Sequence, residues 1–131
     1  MSLQFIALVL AGNRAGTDDT VAKAAGVSCK ALADVGGTPM IERVMAVLRG
    51  SGAIEHIIVS LPESVVSDVA DGRVDAASSP VRSLLTMLDM VEEDKPILVT
   101  TADHALLSPP MIQRFTNQYD PSRFDLSLIH I

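Results

Sequence analysis

Apolar residues in this chain fall into short runs and helix-spaced stripes that alternate along its length. The first run, Phe5-Ile6-Ala7-Leu8-Val9-Leu10, is continuous rather than alternating and predicts a strand over residues 4–10 buried on both faces, as in parallel sheets covered by helices. Residues 11–29 carry Gly12, Gly16 and Gly26, with a short helical pattern at 21–25. An extended piece over 30–35 leads into a Gly36-Gly37 turn. Pro39 then suits the first position of a helix, where its missing N–H costs nothing. Met40, Ile41, Val44, Val47 and Leu48 form its apolar stripe, and Gly50 and Gly52 end it.

A second strand is predicted over 54–61, followed by a short helix over 63–70. Residues 71–79 read as loop, with a brief extended stretch at 73–75. Pro80 opens a helix whose inward side is read as Val81, Leu84, Leu85, Leu88 and Val91. The run 96–101 predicts a third strand ending at Ala102-Asp103. Ser108 is placed to cap a helix starting at Pro109 and carrying Met111, Ile112 and Phe115. Residues 124–131 read as a final strand. This alternation predicts an α/β, three-layer Rossmann-like fold, its mainly parallel sheet covered by helices on both faces and joined by right-handed crossovers.

Composition narrows the function classes. At 131 residues and 48% hydrophobic, the chain is expected to fold as a single domain, or part of one. No apolar run is long enough to span a bilayer and no secretory signal is read, so no membrane partner is expected. The lone Cys29 excludes an internal disulfide and suits a reducing, cytoplasmic setting. A net charge of −6 and few aromatics argue against nucleic-acid binding. His56, His104 and His130 are too dispersed for a zinc site with one cysteine. The apolar strand near the end of the chain offers an edge through which copies could associate as a homo-oligomer.

Open α/β sheets bind ligands at the carboxyl ends of their strands. Two features fall there. The loop after the first strand holds Gly12 and Gly16, whose backbone can approach an anion closely, and Arg14, whose planar fork suits phosphate. Its spacing fits neither the Walker loop nor the dinucleotide fingerprint. Asp103, after the third strand, is a hard oxygen donor suited to Mg²⁺ bridging phosphates.

The combined pattern Leu10-Ala11-Gly12-x-Arg14-x-Gly16, Lys30-Ala31-Leu32, Val35-Gly36-Gly37-Thr38-Pro39-Met40-Ile41-Glu42-Arg43-Val44 and Leu98-Val99-Thr100-Thr101-Ala102-Asp103 resembles the MobA-like NTP transferases, related to the molybdenum-cofactor guanylyl- and cytidylyltransferases. The likeness runs from Ala7 to about Phe115. It implies a GT-A-like nucleotidyltransferase fold, with residues 1–131 forming the nucleotide-binding part of one domain that is incomplete at its C-terminus. The implied reaction moves an NMP group from GTP or CTP, with Mg²⁺, to a small phosphorylated acceptor such as a molybdopterin-type cofactor.

By the same resemblance, Leu10, Ala11, Gly12, Asn13, Arg14, Gly16 and Lys30 would bind the nucleotide, Lys30 and Arg14 being catalytic. Arg82 and Ser83 would lie near it, and Asp103 would ligate the metal. Three departures stand out: thirteen residues separate Gly16 from Lys30, His104-Ala105 follows Asp103 where many relatives carry a proline nearby, and no residue here is assigned to the second metal-binding carboxylate usual in relatives. A non-catalytic nucleotide- or sugar-nucleotide-binding module on the same scaffold is the alternative reading.

Overall fold

The structure is a computed structural model in which residues 4–11, 34–62, 70–76, 79–91, 95–102, 107–118 and 127–128 are described. In chain order the elements are β1 (Phe5–Leu10), β2 (Asp34–Val35), β3 (Thr38–Pro39), α1 (Met40–Gly50), β4 (Ile54–Leu61), β5 (Gly72–Asp75), α2 (Pro80–Leu88), β6 (Ile97–Thr101), α3 (Pro109–Asn117) and β7 (Ser127–Leu128). Five strands form one sheet in the order β5-β4-β1-β6-β7, and every ladder in it is parallel. The chain starts at the centre, moves outward through β4 to β5, and returns by α2 to the other side of β1. Strand order therefore reverses between β1 and β6.

The unbroken hydrophobicity of β1 follows from this central position. Phe5, Ala7 and Val9 face a core shared with Ile41, Val44, Met45 and Leu48 of α1 and with Leu107 and Ile112 at α3. Ile6 and Leu8 face the opposite side, where they meet Ile58, Val99 and Met87 of α2. Helices thus cover both faces, and each residue of the strand gains by leaving water. The three-layer expectation holds.

The Gly36-Gly37 turn joins β2 and β3 as a hairpin pairing Asp34 with Pro39 and Val35 with Thr38. Both glycines take positive φ, +61° and +89°, as a two-residue mirror-image turn requires. Pro39 departs from expectation. Its ψ of 141° is extended, so it is the N-cap of α1 and the helix begins at Met40. Pairing with Asp34 holds it in the hairpin.

The inward side of α2 also needs correction. Val81 and Leu85 are 66% and 58% exposed, whereas Ser83 and Met87 are buried. Leu84, Leu88 and Val91 pack partly against the same core, as expected. A helix turns about 100° per residue, so one centred on Met87 places Ser83 and Leu84 toward the sheet and Leu85 nearly opposite.

The segment 71–79 contains a true strand, β5, registered on Ile58–Leu61. Asp71 begins that pairing: its N–H donates to Ile57 O at 3.0 Å, and its Oδ2 accepts from Ile57 N at 2.9 Å. The expected helix over 63–70 lies outside the described residues except for Ala70. Of the expected last strand, Ser127–Leu128 is described and pairs with β6.

Candidate functional site

All five parallel strands direct their carboxyl ends to one edge of the sheet. At its centre Leu10 and Thr101 are register partners, and Ala102 N donates to Leu10 O at 2.9 Å. On the other side Ala11 N donates to Ser60 O at 3.0 Å, and Ala76 N donates to Leu61 O at 2.7 Å. The bonds at Ala11, Ala76 and Ala102 each extend the parallel pairing past the last strand residue. Ala11 and Ala102 are small and buried, which lets the two central strands end side by side. This edge includes the point where strand order reverses, the place where open α/β sheets leave a ligand crevice.

Leu10, partly exposed, and Ala11, buried, are the predicted nucleotide-binding residues that the structure brings to this edge. Gly12 follows Ala11 in the chain and Asp103 follows Ala102. Gly12, Asn13, Arg14, Gly16, Lys30 and Asp103 themselves lie outside the described residues.

Arg82 and Ser83 sit in the first turn of α2, which the chain enters after the carboxyl end of β5. Ser79 Oγ caps that turn by accepting from Arg82 N at 3.2 Å, and Ser83 N donates to Ser79 O at 3.1 Å. The two side chains differ: Arg82 is exposed, whereas Ser83 is buried on the sheet side at 3% exposure. Ser108 is likewise the N-cap of α3, yet its hydroxyl makes no capping bond.

The cationic side chain at the β5 end of the edge is already engaged. Arg73 Nη2 donates to Pro62 O at 2.9 Å and lies 3.6 Å from Asp75 Oδ1. At the opposite, amino edge a cleft of about 360 Å³ is lined by Ile6, Glu55, His56, Ile58, Met90, Val91 and Lys95. Lys95 Nζ pairs there with Glu55 Oε1 at 3.1 Å. Strand polarity separates this cleft from the edge at which Ala11 and Ala102 lie.

Among the described residues no group of three His, Cys, Asp or Glu side chains is arranged to hold a metal ion. The described donors alone therefore do not make a metal centre. No helix among them is long and apolar enough to cross a membrane.

One polar group at the edge escaped sequence reasoning. Thr100 is fully buried, and its Oγ1 has no hydrogen-bond partner among the described residues. A β-branched threonine after Ile97-Leu98-Val99 reads as ordinary strand sequence, and the Leu98–Asp103 segment that carries the resemblance assigns it no role.

Known proteins share this arrangement. A transferase described as hypothetical from Thermus thermophilus superposes with a TM-score of 0.74 at 23% identity, covering 90% of this chain and 48% of that one. A nucleotidyl transferase from Methanothermobacter thermautotrophicus gives 0.67 at 22% identity, over 89% and 58%. A Mycobacterium tuberculosis H37Rv protein, solved in complex with manganese, gives 0.61 at 21%, over 87% and 58%. At these identities the likeness establishes the fold.

In sequence, the chain is 32% identical over 91 residues to a 2-C-methyl-D-erythritol 4-phosphate cytidylyltransferase of Rhodococcus opacus (strain B4), covering 65% of this chain and 40% of that protein. It is 30% identical over 95 residues to the enzyme of the same name from Rhodococcus jostii (strain RHA1), covering 68% and 42%. The chain thus spans about two fifths of the length of these relatives. The model of the MobA-like NTP transferase domain matches residues 7–130, nearly the whole chain, and the protein belongs to that nucleotidyltransferase family.

Proposed function

We propose that the chain is the nucleotide-binding part of an Mg²⁺-dependent nucleotidyltransferase that moves an NMP group from CTP or GTP to a small phosphorylated acceptor. The observation that carries this reading is the pairing of Leu10 with Thr101 at the reversal point of the sheet. It brings the chain to one edge just before its glycine loop and just before its strand-end carboxylate.

In the proposed reaction an acceptor phosphate oxygen attacks the α-phosphorus in line. A new P–O bond forms as the bond to the β-phosphate bridging oxygen breaks, and pyrophosphate leaves with that electron pair. The protein's task is to position the reactants and offset developing charge. Gly12, Asn13, Arg14 and Gly16 are assigned to the triphosphate, Lys30 to its charge, and Arg82 and Ser83 to the vicinity of the nucleotide. Asp103 is assigned to Mg²⁺, which when bound reduces the charge of the triphosphate. Only the part of each interaction that strengthens in the transition state raises the rate.

The names of the sequence relatives favour CTP as donor and a phosphorylated polyol as acceptor over GTP and a molybdopterin-type phosphate. Thermal melts with CTP or GTP plus Mg²⁺ test binding. Stabilisation of about 2.7 kcal/mol is expected at one hundred times Kd. Pyrophosphate release with 2-C-methyl-D-erythritol 4-phosphate tests transfer. No melting shift with either nucleotide at millimolar concentration would overturn the reading.

A further inference from the structure

We propose that Thr100 is a positioning residue of the nucleotide site, its hydroxyl taking a hydrogen-bond partner when nucleotide occupies the carboxyl edge and so favouring the loaded state. The inference rests on the reading of that edge as a nucleotide site.

Thr100 pairs with Val9, one position before the Leu10–Thr101 pair at which both central strands end. Strand alternation places it between Leu98 and Ala102 on the face covered by α1 and α3. It is 0% exposed, and its Oγ1 is unpartnered among the described residues. Valine has nearly the same shape and would fill this position without a polar atom, whereas a buried hydroxyl with no partner is destabilising. Ser51, also buried, shows the usual solution in this molecule: its hydroxyl donates to Leu48 O at 2.7 Å and accepts from Ala53 N at 3.2 Å.

A hydroxyl can rotate and can both donate and accept. Thr100 is too deeply buried to meet solvent, so it acts through a neighbouring group. A partner gained only in the loaded state couples hydroxyl and ligand, because the cost of the unsatisfied group is borne by the unloaded protein alone.

The test compares wild type, Thr100→Val, which removes the hydroxyl and keeps the shape, and Thr100→Ser, which keeps the hydroxyl and removes the methyl. Calorimetric titration with CTP and Mg²⁺ is paired with melting of the nucleotide-free proteins. Thr100→Val is expected to melt at or above wild type and to bind CTP about tenfold more weakly. Thr100→Ser is expected to melt lower yet keep the wild-type affinity.

CTP affinity of Thr100→Val within about twofold of wild type, well under the tenfold effect of a lost hydrogen bond, overturns the proposal. So does a Thr100→Val protein that melts below wild type or does not fold, since the hydroxyl would then already have a partner in the unloaded protein. Wild type that binds neither CTP nor GTP overturns the nucleotide reading together with this one. Wild-type binding that is unchanged in Thr100→Val overturns this one alone.

Discussion

Ala102 donates its backbone N–H to the carbonyl of Leu10 across 2.9 Å, so the two central strands are tied together at their last step. Sheet order reverses between these strands, and in sequence Gly12 follows shortly after one and Asp103 shortly after the other. Replacing Ala102 by proline deletes the donor in a buried sheet. The Leu10 carbonyl would lose its partner, and a stability loss of about 1–3 kcal/mol is expected in urea unfolding. CTP binding should weaken as well, since the edge is the shared anchor.

Gly36 offers a test of the hairpin that precedes α1. Its φ of +61° is costly for an L-residue, and a Cβ there would lie 2.6 Å from Arg43 Nη2. The arginine end can swing aside, so the backbone conformation dominates. Gly36→Ala should cost about 1–2 kcal/mol. Gly50, whose Cβ would meet nothing within 4 Å, provides the contrast: Gly50→Ala should be neutral or stabilising by about 0.5 kcal/mol. Chemical denaturation of both variants decides the matter.

The two serine N-caps should behave differently. Ser79 accepts from Arg82 N, and Ser79→Ala should destabilise by about 1 kcal/mol, measured by thermal unfolding. Ser108 makes no side-chain cap bond, and Ser108→Ala should change stability by no more than about 0.5 kcal/mol. Equal losses would contradict the geometry.

Asp71 takes the place of a strand residue in front of β5, bonding Ile57 through both backbone and side chain. Arg49 Nη1 lies 3.5 Å from the same Oδ2, but that pair is substantially exposed. Asp71→Ala should therefore lose about 1–2 kcal/mol, chiefly from the Ile57 N–H left without its acceptor. Arg49→Ala should lose much less, as exposed ion pairs contribute little. Hydrogen exchange at Ile57 should accelerate in the first variant and not in the second.

Much of this fold is legible in the chain because burial on two faces leaves an unmistakable mark. Phe5–Leu10 reads as a central strand because both of its faces are covered, and Ile54–Leu61 reads the same way over its buried half. The α2 stripe is less legible. In nine residues, Val81 and Leu85 fit a helical period as well as Ser83 and Met87 do. What decides is the small serine against the sheet, a tertiary fact. Gly72–Asp75 carries little strand propensity, and its pairing depends on Asp71 and β4 rather than on its own composition. Pro39 reads as the first residue of a helix, but cross-strand pairing with Asp34 holds it in the hairpin, one position before the helix.

The carboxyl edge was legible as the place where apolar runs stop at Gly12 and Asp103. Those residues, like Arg14 and Lys30, lie outside the described residues. Thr100 could not be singled out, because a missing hydrogen bond has no counterpart in residue pattern.

The most direct test of the account is calorimetric titration of the chain with CTP and GTP in the presence of Mg²⁺, for wild type, Lys30→Ala and Asp103→Ala. Saturable wild-type binding of at least one nucleotide, weakened in both variants, is the predicted result. Binding of neither nucleotide, or binding unchanged by both substitutions, would contradict it.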